Sequence, residues 1–254
     1  MSEPSSSASP DQEVPPAPHA SLDLESRRLK AMKIERMLQP RIDDGPVRVL
    51  EIGTGSGGIA HYLAAEHPGS LTVTAVDVRD QRMVADGFTF RRVDGTTLPF
   101  EGGSFDIVIS NHVIEHVGGR SDQVSHLAEM RRLLARGGLG FLSVPNRWAL
   151  VEPHFRLPFL SWVPRRWRTS YVRYAGRGDA YDCEPLSRPD LDSMLSETGF
   201  MFQHREVEAM RVTLELEGAD TLARRLARAV PDWFLTRLTR LSPTFVCTFW
   251  IDAE

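Results

Sequence analysis

The stretch best suited to chemistry is Glu51-Ile52-Gly53-Thr54-Gly55-Ser56-Gly57-Gly58, an acid followed by closely spaced glycines. Glycine adopts φ values that other residues rarely reach, and its missing side chain lets a ligand approach the backbone. Two further acids, Asp77 and Asp94, each end a run rich in β-branched or aromatic residues, Leu71-Thr72-Val73-Thr74-Ala75-Val76 and Phe88-Thr89-Phe90-Arg91-Arg92-Val93. One carboxylate can accept from two vicinal hydroxyls at once, so Asp77, 24 positions after Gly53, suits a ribose. Three histidines, His112, His116 and His154, are candidates for proton transfer, because imidazole titrates near neutral pH.

These residues need a scaffold, and the chain supplies alternating strand and helix signals. Val47-Arg48-Val49-Leu50-Glu51-Ile52 reads as a buried parallel strand that feeds the glycine turn, with a helix over 59–66 after it. Open α/β sheets hold ligands at that carboxyl edge. Strands are expected at 71–77, 88–95, 105–110 and 139–144, with Val124, Leu127, Met130 and Leu133 marking a helix that closes at Gly137-Gly138. The alternation breaks at Arg147. Residues 147–178 mix Phe155, Phe159, Trp162, Trp167, Tyr171 and Tyr174 with arginines and prolines, and read as a cap with a small satellite core and a solvated arginine rim. A helix over 188–198, a strand over about 200–210, an amphipathic helix from Leu222 to Leu238 and a strand over 244–251 complete the chain. Ahead of the core, residues 1–20 are Ser/Pro-rich and are expected to be disordered, and a helix from Ser21 is expected to stop before Pro40. The domain boundaries that follow are 1–20, 21–44, 45–146, 147–187 and 188–254.

Bulk composition narrows the class. With 254 residues, 41% hydrophobic and 25% charged, the chain can bury one sizeable α/β core. A net charge of -4 gives no global pull toward nucleic acid. Two cysteines, Cys183 and Cys247, are too few for a disulfide framework or a metal cluster, and no apolar run approaches a membrane span. The expectation is a cytoplasmic protein.

Two ligands compete for the turn. Gly53, Gly55 and Gly58 satisfy the dinucleotide spacing G-x-G-x-x-G, which suits NAD. The acid ahead of the glycines disfavours a pyrophosphate and suits a cationic ligand. Together, Glu51-x-Gly53-x-Gly55-x-Gly57, strand-end Asp77, the Asp94-Gly95 corner, Phe105-Asp106-Ile107-Val108 and Gly137-Gly138 resemble the class I S-adenosylmethionine-dependent methyltransferases. The likeness runs from about Val47 to Asn146 and is nearest the small-molecule branch that includes quinone-biosynthesis methyltransferases. It implies a Rossmann-like, doubly wound, mostly parallel seven-stranded sheet with an antiparallel last strand, plus an inserted cap. It also implies S-adenosylmethionine as cofactor. Glu51, Gly53 and Gly55 then line the methionine portion, with Thr54 and Gly57 in the same loop. Asp77 takes the ribose and Val78 lies beside the adenine. Asp94 accepts from the adenine amino group with Gly95 alongside, and Asn111 and His112 border the sulfur.

The acceptor is expected to be a small molecule or a glycan or lipid intermediate, methylated at oxygen. After strand four, Ser110-Asn111-His112-Val113 lacks the Pro-Pro-aromatic signature of the family's DNA-base and glutamine methyltransferases, which argues against nucleic acid. His154, in Glu152-Pro153-His154-Phe155, sits where the family places acceptor-binding insertions and is the preferred base; His116 reads as structural. The aromatic and basic cap also fits peripheral contact with a membrane. A non-catalytic S-adenosylmethionine-binding scaffold and an NAD-dependent oxidoreductase remain as alternatives.

Overall fold

The computed structural model describes residues 23–216 and 230–252. Strands β1 (Val47–Ile52), β2 (Leu71–Asp77), β3 (Thr89–Arg92), β4 (Phe105–Asn111) and β5 (Leu134–Pro145) pair in parallel. A short hairpin, β6 (Val151–Glu152) and β7 (Leu157–Pro158), stands apart, followed in the chain by β8 (Met201–His204) and β9 (Thr244–Trp250). The main sheet has seven strands in the order β3-β2-β1-β4-β5-β9-β8, with β9 antiparallel to both of its neighbours. This is the doubly wound α/β sheet with a reversed last strand that the sequence led us to expect.

Strands buried on both faces need apolar residues at successive positions. β4 meets this with Ile107, Val108 and Ile109, all at 0% exposure. Side chains alternate between two cores. Val47, Val49, Ile107, Ile109 and Phe141 face helices α1 (Leu24–Ile42) and α2 (Gly58–Glu66). Leu50, Ile52, Val108, Leu142 and Val144 face α3 (Arg120–Leu133) and α5 (Arg188–Glu197). The cap carries α4 (Arg165–Tyr174) and its own small cluster of Phe155, Leu157, Leu160, Val172 and Cys183. α6 (Glu206–Leu216) and α7 (Asp232–Leu238) lie between β8 and β9 in the chain.

Several boundaries differ from expectation for local reasons. α1 continues to Ile42 with Pro40 inside its last turn. A proline there forfeits one hydrogen bond near an end that frays in any case. α3 ends at Leu133 rather than at Gly137-Gly138, which lie inside β5. There the pairing with β4 slips, from Phe105 opposite Leu134 to Ile107 opposite Leu139. Gly138 permits the slip: a Cβ would come within 2.9 Å of the Asp106 carbonyl oxygen. The strand expected over 200–210 ends at His204, and residues from Glu206 form α6. Pro231 starts α7, so the helix expected from Leu222 to Leu238 is not continuous at its C-terminal part. The rest of that helix and the 1–20 segment lie outside the described residues. In the cap, Arg168 is buried rather than part of a solvated rim, its guanidinium donating to the carbonyls of Val163 and Ser161.

The β5–β9 pairing depends on Gly140, where a Cβ would lie 1.9 Å from the Phe249 ring. Phe249 is fully buried and packs on Phe200 at 4.5 Å between ring centroids, so it cannot swing aside. Gly140→Ala is predicted to cost at least about 1–3 kcal/mol through overpacking. Urea unfolding measures it as a lowered midpoint at unchanged slope.

Candidate active site

The carboxyl ends of β1, β2 and β4 converge on one edge. β1 ends beside the glycine turn, in which Gly53, Gly55 and Gly57 all have left-handed φ, at 74°, 55° and 78°. Gly53 has to be glycine, because a Cβ would lie 2.3 Å from Val113 Cγ2 on the loop leaving β4. That contact presses the exits of β1 and β4 together.

Glu51 is 1% exposed; its Oε2 accepts from the Thr54 hydroxyl at 2.7 Å and the Ala60 amide at 3.1 Å. Burial pushes its carboxyl up to about 7, against the opposing pull of Thr54 and the Arg27 cation. Asp77, half-buried, accepts the amides of Gly55 at 2.9 Å and Arg79 at 3.2 Å, so the strand-end acid also shapes the turn. Above the turn lies α1. The position of a Gly55 Cβ is bordered only by Arg27 Nη2 at 3.7 Å, and Gly58 sits against the Arg27 stem. The protein's own guanidinium therefore stands over the two carboxylates. Lys30, one turn further, is lowered to about 8 by burial and by the neighbouring Arg27 and Lys33. Val78 and Asp94 are exposed at the exits of β2 and β3, and Gly95 has φ 85° with nothing within 4 Å of a would-be Cβ.

At the end of β4, Asn111 is buried, with Oδ1 accepting from Ser143 at 2.7 Å and Nδ2 making no hydrogen bond among the described residues. His112 follows with φ 58°, a left-handed conformation uncommon outside glycine. The three candidate histidines prove to be neighbours. His112 Nδ1 lies 3.3 Å and His154 Nε2 3.4 Å from Oε1 of Glu115, with His116 Nε2 at 4.0 Å. Glu115 is 0% exposed, and neither of its oxygens accepts a hydrogen bond of good geometry. Burial opposes its ionisation, but His112 and His154 outweigh it and hold the carboxyl well below the usual range. Burial lowers His112. At His154 burial acts the same way, yet Glu115 and Glu152 together raise it to about 9. His154 thus faces a carboxylate from each of its two ring nitrogens.

The cap delivers His154. Glu152 at the end of β6 accepts from His154 Nδ1 at 3.0 Å and from the Phe155 amide at 2.7 Å. Gln123 bridges the carbonyls of Ile114 and Glu184, which ties α3 to both the His116 turn and the cap's exit. A cavity of about 510 Å³ opens from Asn111 and His112, lined by Lys30 and Lys33 on one side and by Met37, Phe141 and Leu235 among its apolar walls. Sequence reading missed Arg27, Lys30 and Glu152. The signal for the first two was a basic residue every third position from Arg27 to Lys33, which places them along one face of α1.

These residues fit a cationic sulfur nucleoside. A buried carboxylate with a raised pKa is waiting for positive charge, the backbone is bare at Gly55, and Asp77 stands beside it.

Known proteins bear on the same region. Residues 50–142 match the family described as methyltransferase domain. The chain is 30% identical over 107 residues to the ubiquinone/menaquinone biosynthesis C-methyltransferase UbiE of Geobacter sp. (strain M21), covering 37% of this chain and 44% of that protein. It is 34% identical over 191 residues to a malonyl-[acyl-carrier protein] O-methyltransferase of Geobacter sulfurreducens, covering 69% of this chain and 66% of that protein. The chain thus spans less than half the length of the first relative and about two thirds of the second. In fold it is similar to an S-adenosylmethionine-dependent methyltransferase from Mesorhizobium loti, with TM-score 0.54 and 18% identity over 90% of this chain and 99% of that one. With the sheet order, the acid-glycine corner and these likenesses in agreement, the chain belongs to the class I S-adenosylmethionine-dependent methyltransferases.

Proposed function

We propose that this protein transfers a methyl group from S-adenosylmethionine to an oxygen of a small, largely apolar acceptor with an anionic end, such as an acyl or lipid intermediate. The observation that carries this reading is the meeting of two spaces at Asn111 and His112. On one side is the acid-glycine corner; on the other is the cavity, where Lys30, Lys33 and a single acid, Glu206, lie among mainly apolar and hydroxyl side chains. Its volume lies within the range of small-molecule sites, roughly 300–1,000 Å³. The relatives that support the acceptor class include the malonyl-[acyl-carrier protein] O-methyltransferase and a phthiotriol/phenolphthiotriol dimycocerosates methyltransferase of Mycobacterium leprae.

When bound, the cofactor supplies an electrophilic methyl on a good leaving group, so the protein's task is alignment and exclusion of water. Glu51 balances the α-ammonium, and Arg27 is placed to turn toward the α-carboxylate. Asp77 takes the ribose hydroxyls, while Val78, Asp94 and Gly95 border the adenine. Asn111 Nδ2 offers a donor at the junction, and Lys30 and Lys33 hold the acceptor's anionic end.

The exposed face of the cap extends this proposal. Trp148, Phe159 and Trp162 are each about half exposed and stack edge-to-face, with Arg165 and Arg166 close in sequence. Indole rings beside arginines suit an anionic bilayer surface, from which a lipid acceptor would be drawn.

Three outcomes are expected. Calorimetry should show S-adenosylhomocysteine binding and no NADH binding, with Asp77→Ala weakening the former by about 1.5–3 kcal/mol per lost charge-assisted bond; tight NADH binding alone would overturn the reading. Donor affinity should fall as pH drops below about 7, since a proton on Glu51 must leave before the carboxylate can face a cation. Glu51→Gln should bind more weakly and flatten that dependence. Vesicles containing phosphatidylglycerol should sediment the protein at low salt and release it at high salt, and Trp162→Ala should reduce this; no sedimentation at low salt counts against the membrane contact.

A further inference from the structure

The cluster at Glu115 has a use that neither cofactor binding nor the acceptor cavity requires. One ring nitrogen of His112, a Glu115 carboxylate oxygen and one ring nitrogen of His154 all lie within 4.8 Å of one another. Two of the separations, 3.3 and 3.4 Å, match the ~3.4 Å between neighbouring ligands of a tetrahedral zinc ion with bonds of about 2.0–2.1 Å. Paired imidazoles and carboxylate normally approach closer, as a hydrogen bond, and here no bond of good geometry reaches either oxygen of fully buried Glu115. The imidazoles offset the charge of the carboxylate from 3.3 and 3.4 Å without a well-aligned bond to it, and an ion seated between them would complete its coordination.

The surroundings are also built as a metal's are. Ligating histidines commonly donate their second nitrogen to a carboxylate, which sets the tautomer and aims the ring. His154 does this: Nδ1 meets Glu152 at 3.0 Å, and Glu152 is itself 0% exposed and fixed by the Phe155 amide. His112 is aimed at Glu115 by a left-handed backbone that costs energy at a non-glycine residue.

We propose that His112, Glu115 and His154 bind one divalent transition ion of the zinc class, held from behind by Glu152. Two imidazoles and one carboxylate make three ligands, the number that catalytic rather than structural sites supply. Of the three, His112 lines the acceptor cavity, which puts the ion on the substrate's side of the cluster. Its role, which rests on the methyl-transfer reading, is to bind the acceptor's hydroxyl oxygen and lower its pKa, so that the proton is lost to solvent water before the oxygen attacks; the new oxygen–carbon bond forms as the methyl's carbon–sulfur bond breaks, and neutral S-adenosylhomocysteine leaves. This explains how a hydroxyl acceptor is activated at a site whose best-placed imidazole is engaged by two carboxylates.

The test is cobalt titration of the chelator-stripped full chain, read by the visible absorption of Co²⁺, with Zn²⁺ as competitor and S-adenosylhomocysteine calorimetry on every variant. Wild type should take up one equivalent of Co²⁺, displaced by Zn²⁺. His112→Ala and His154→Ala should each weaken uptake at least a hundredfold, and His154→Ala, in the cap and outside the cofactor corner, should still bind S-adenosylhomocysteine. Glu152→Gln, which keeps size and most hydrogen bonds, should weaken it ten- to a hundredfold and serves if the alanine variants fail to fold. His116→Ala and Cys183→Ser should leave it intact. Absence of saturable uptake by wild type, uptake indifferent to His112→Ala, His154→Ala and Glu152→Gln, or uptake lost only in the His116 or Cys183 variants would each overturn the proposal. Failure of S-adenosylhomocysteine to bind wild type would instead sink the methyltransferase reading and leave the cobalt result standing.

Discussion

Two carboxylates, Glu51 and Glu115, are buried at the exits of neighbouring strands, and much of the molecule is arranged around their charge. A lone carboxylate in an apolar interior is costly enough either to protonate or to recruit a partner. The protein uses both solutions. Glu51 moves toward neutrality, softened by Thr54, the Ala60 amide and the Arg27 cation over the glycine turn. Glu115 stays ionised because His112 and His154 face it. The two groups differ in what they await. Glu51 lies where a cation can enter, whereas Glu115 is enclosed by side chains from β4's exit and the cap.

This arrangement assigns tasks to the appendages. α1 is more than a brace on the sheet edge: its buried side, from Ala31 to Ile42, joins the core of β1 and β2, while Arg27 and Lys30 reach the site. The cap likewise has two sides. Inside, Phe155, Leu160 and Val172 form the support that presents Glu152 and His154. Outside, Trp148 and Trp162 remain half exposed. Asn146 joins cap to sheet, donating to the carbonyls of Arg240 and Ser242 and accepting the Trp148 amide.

How much of this was legible depended on whether the signal was local. β1, β2 and β4 were readable because a strand buried on both faces needs a continuous apolar run, and the turn after β1 because its φ values need glycine. The limits of α3 were misread because Gly137-Gly138 looks the same to a helix end as to a strand bulge. Only the pairing of β4 with β5 distinguishes them. In the site, Glu51 and Asp77 could be named from position along their strands. The union of His112, Glu115 and His154 could not, since it joins residues about forty positions apart through a hairpin whose strands are two residues each. Sequence presented three histidines as rivals for one role. Folding makes them parts of one assembly.

The reversed strand β9 has a consequence for the order in which the molecule can be built. It fills the gap between β5 and β8, yet of this sheet's strands it comes last in the chain. Until residues 244–250 emerge, β5 presents an open hydrogen-bonding edge and β8 has nothing to pair with. An unpaired edge invites association with other chains, and distant pairings are slow to form. While residues 244–250 are still to be made, β5 is the edge that needs shielding. The finished sheet buries that edge under β9.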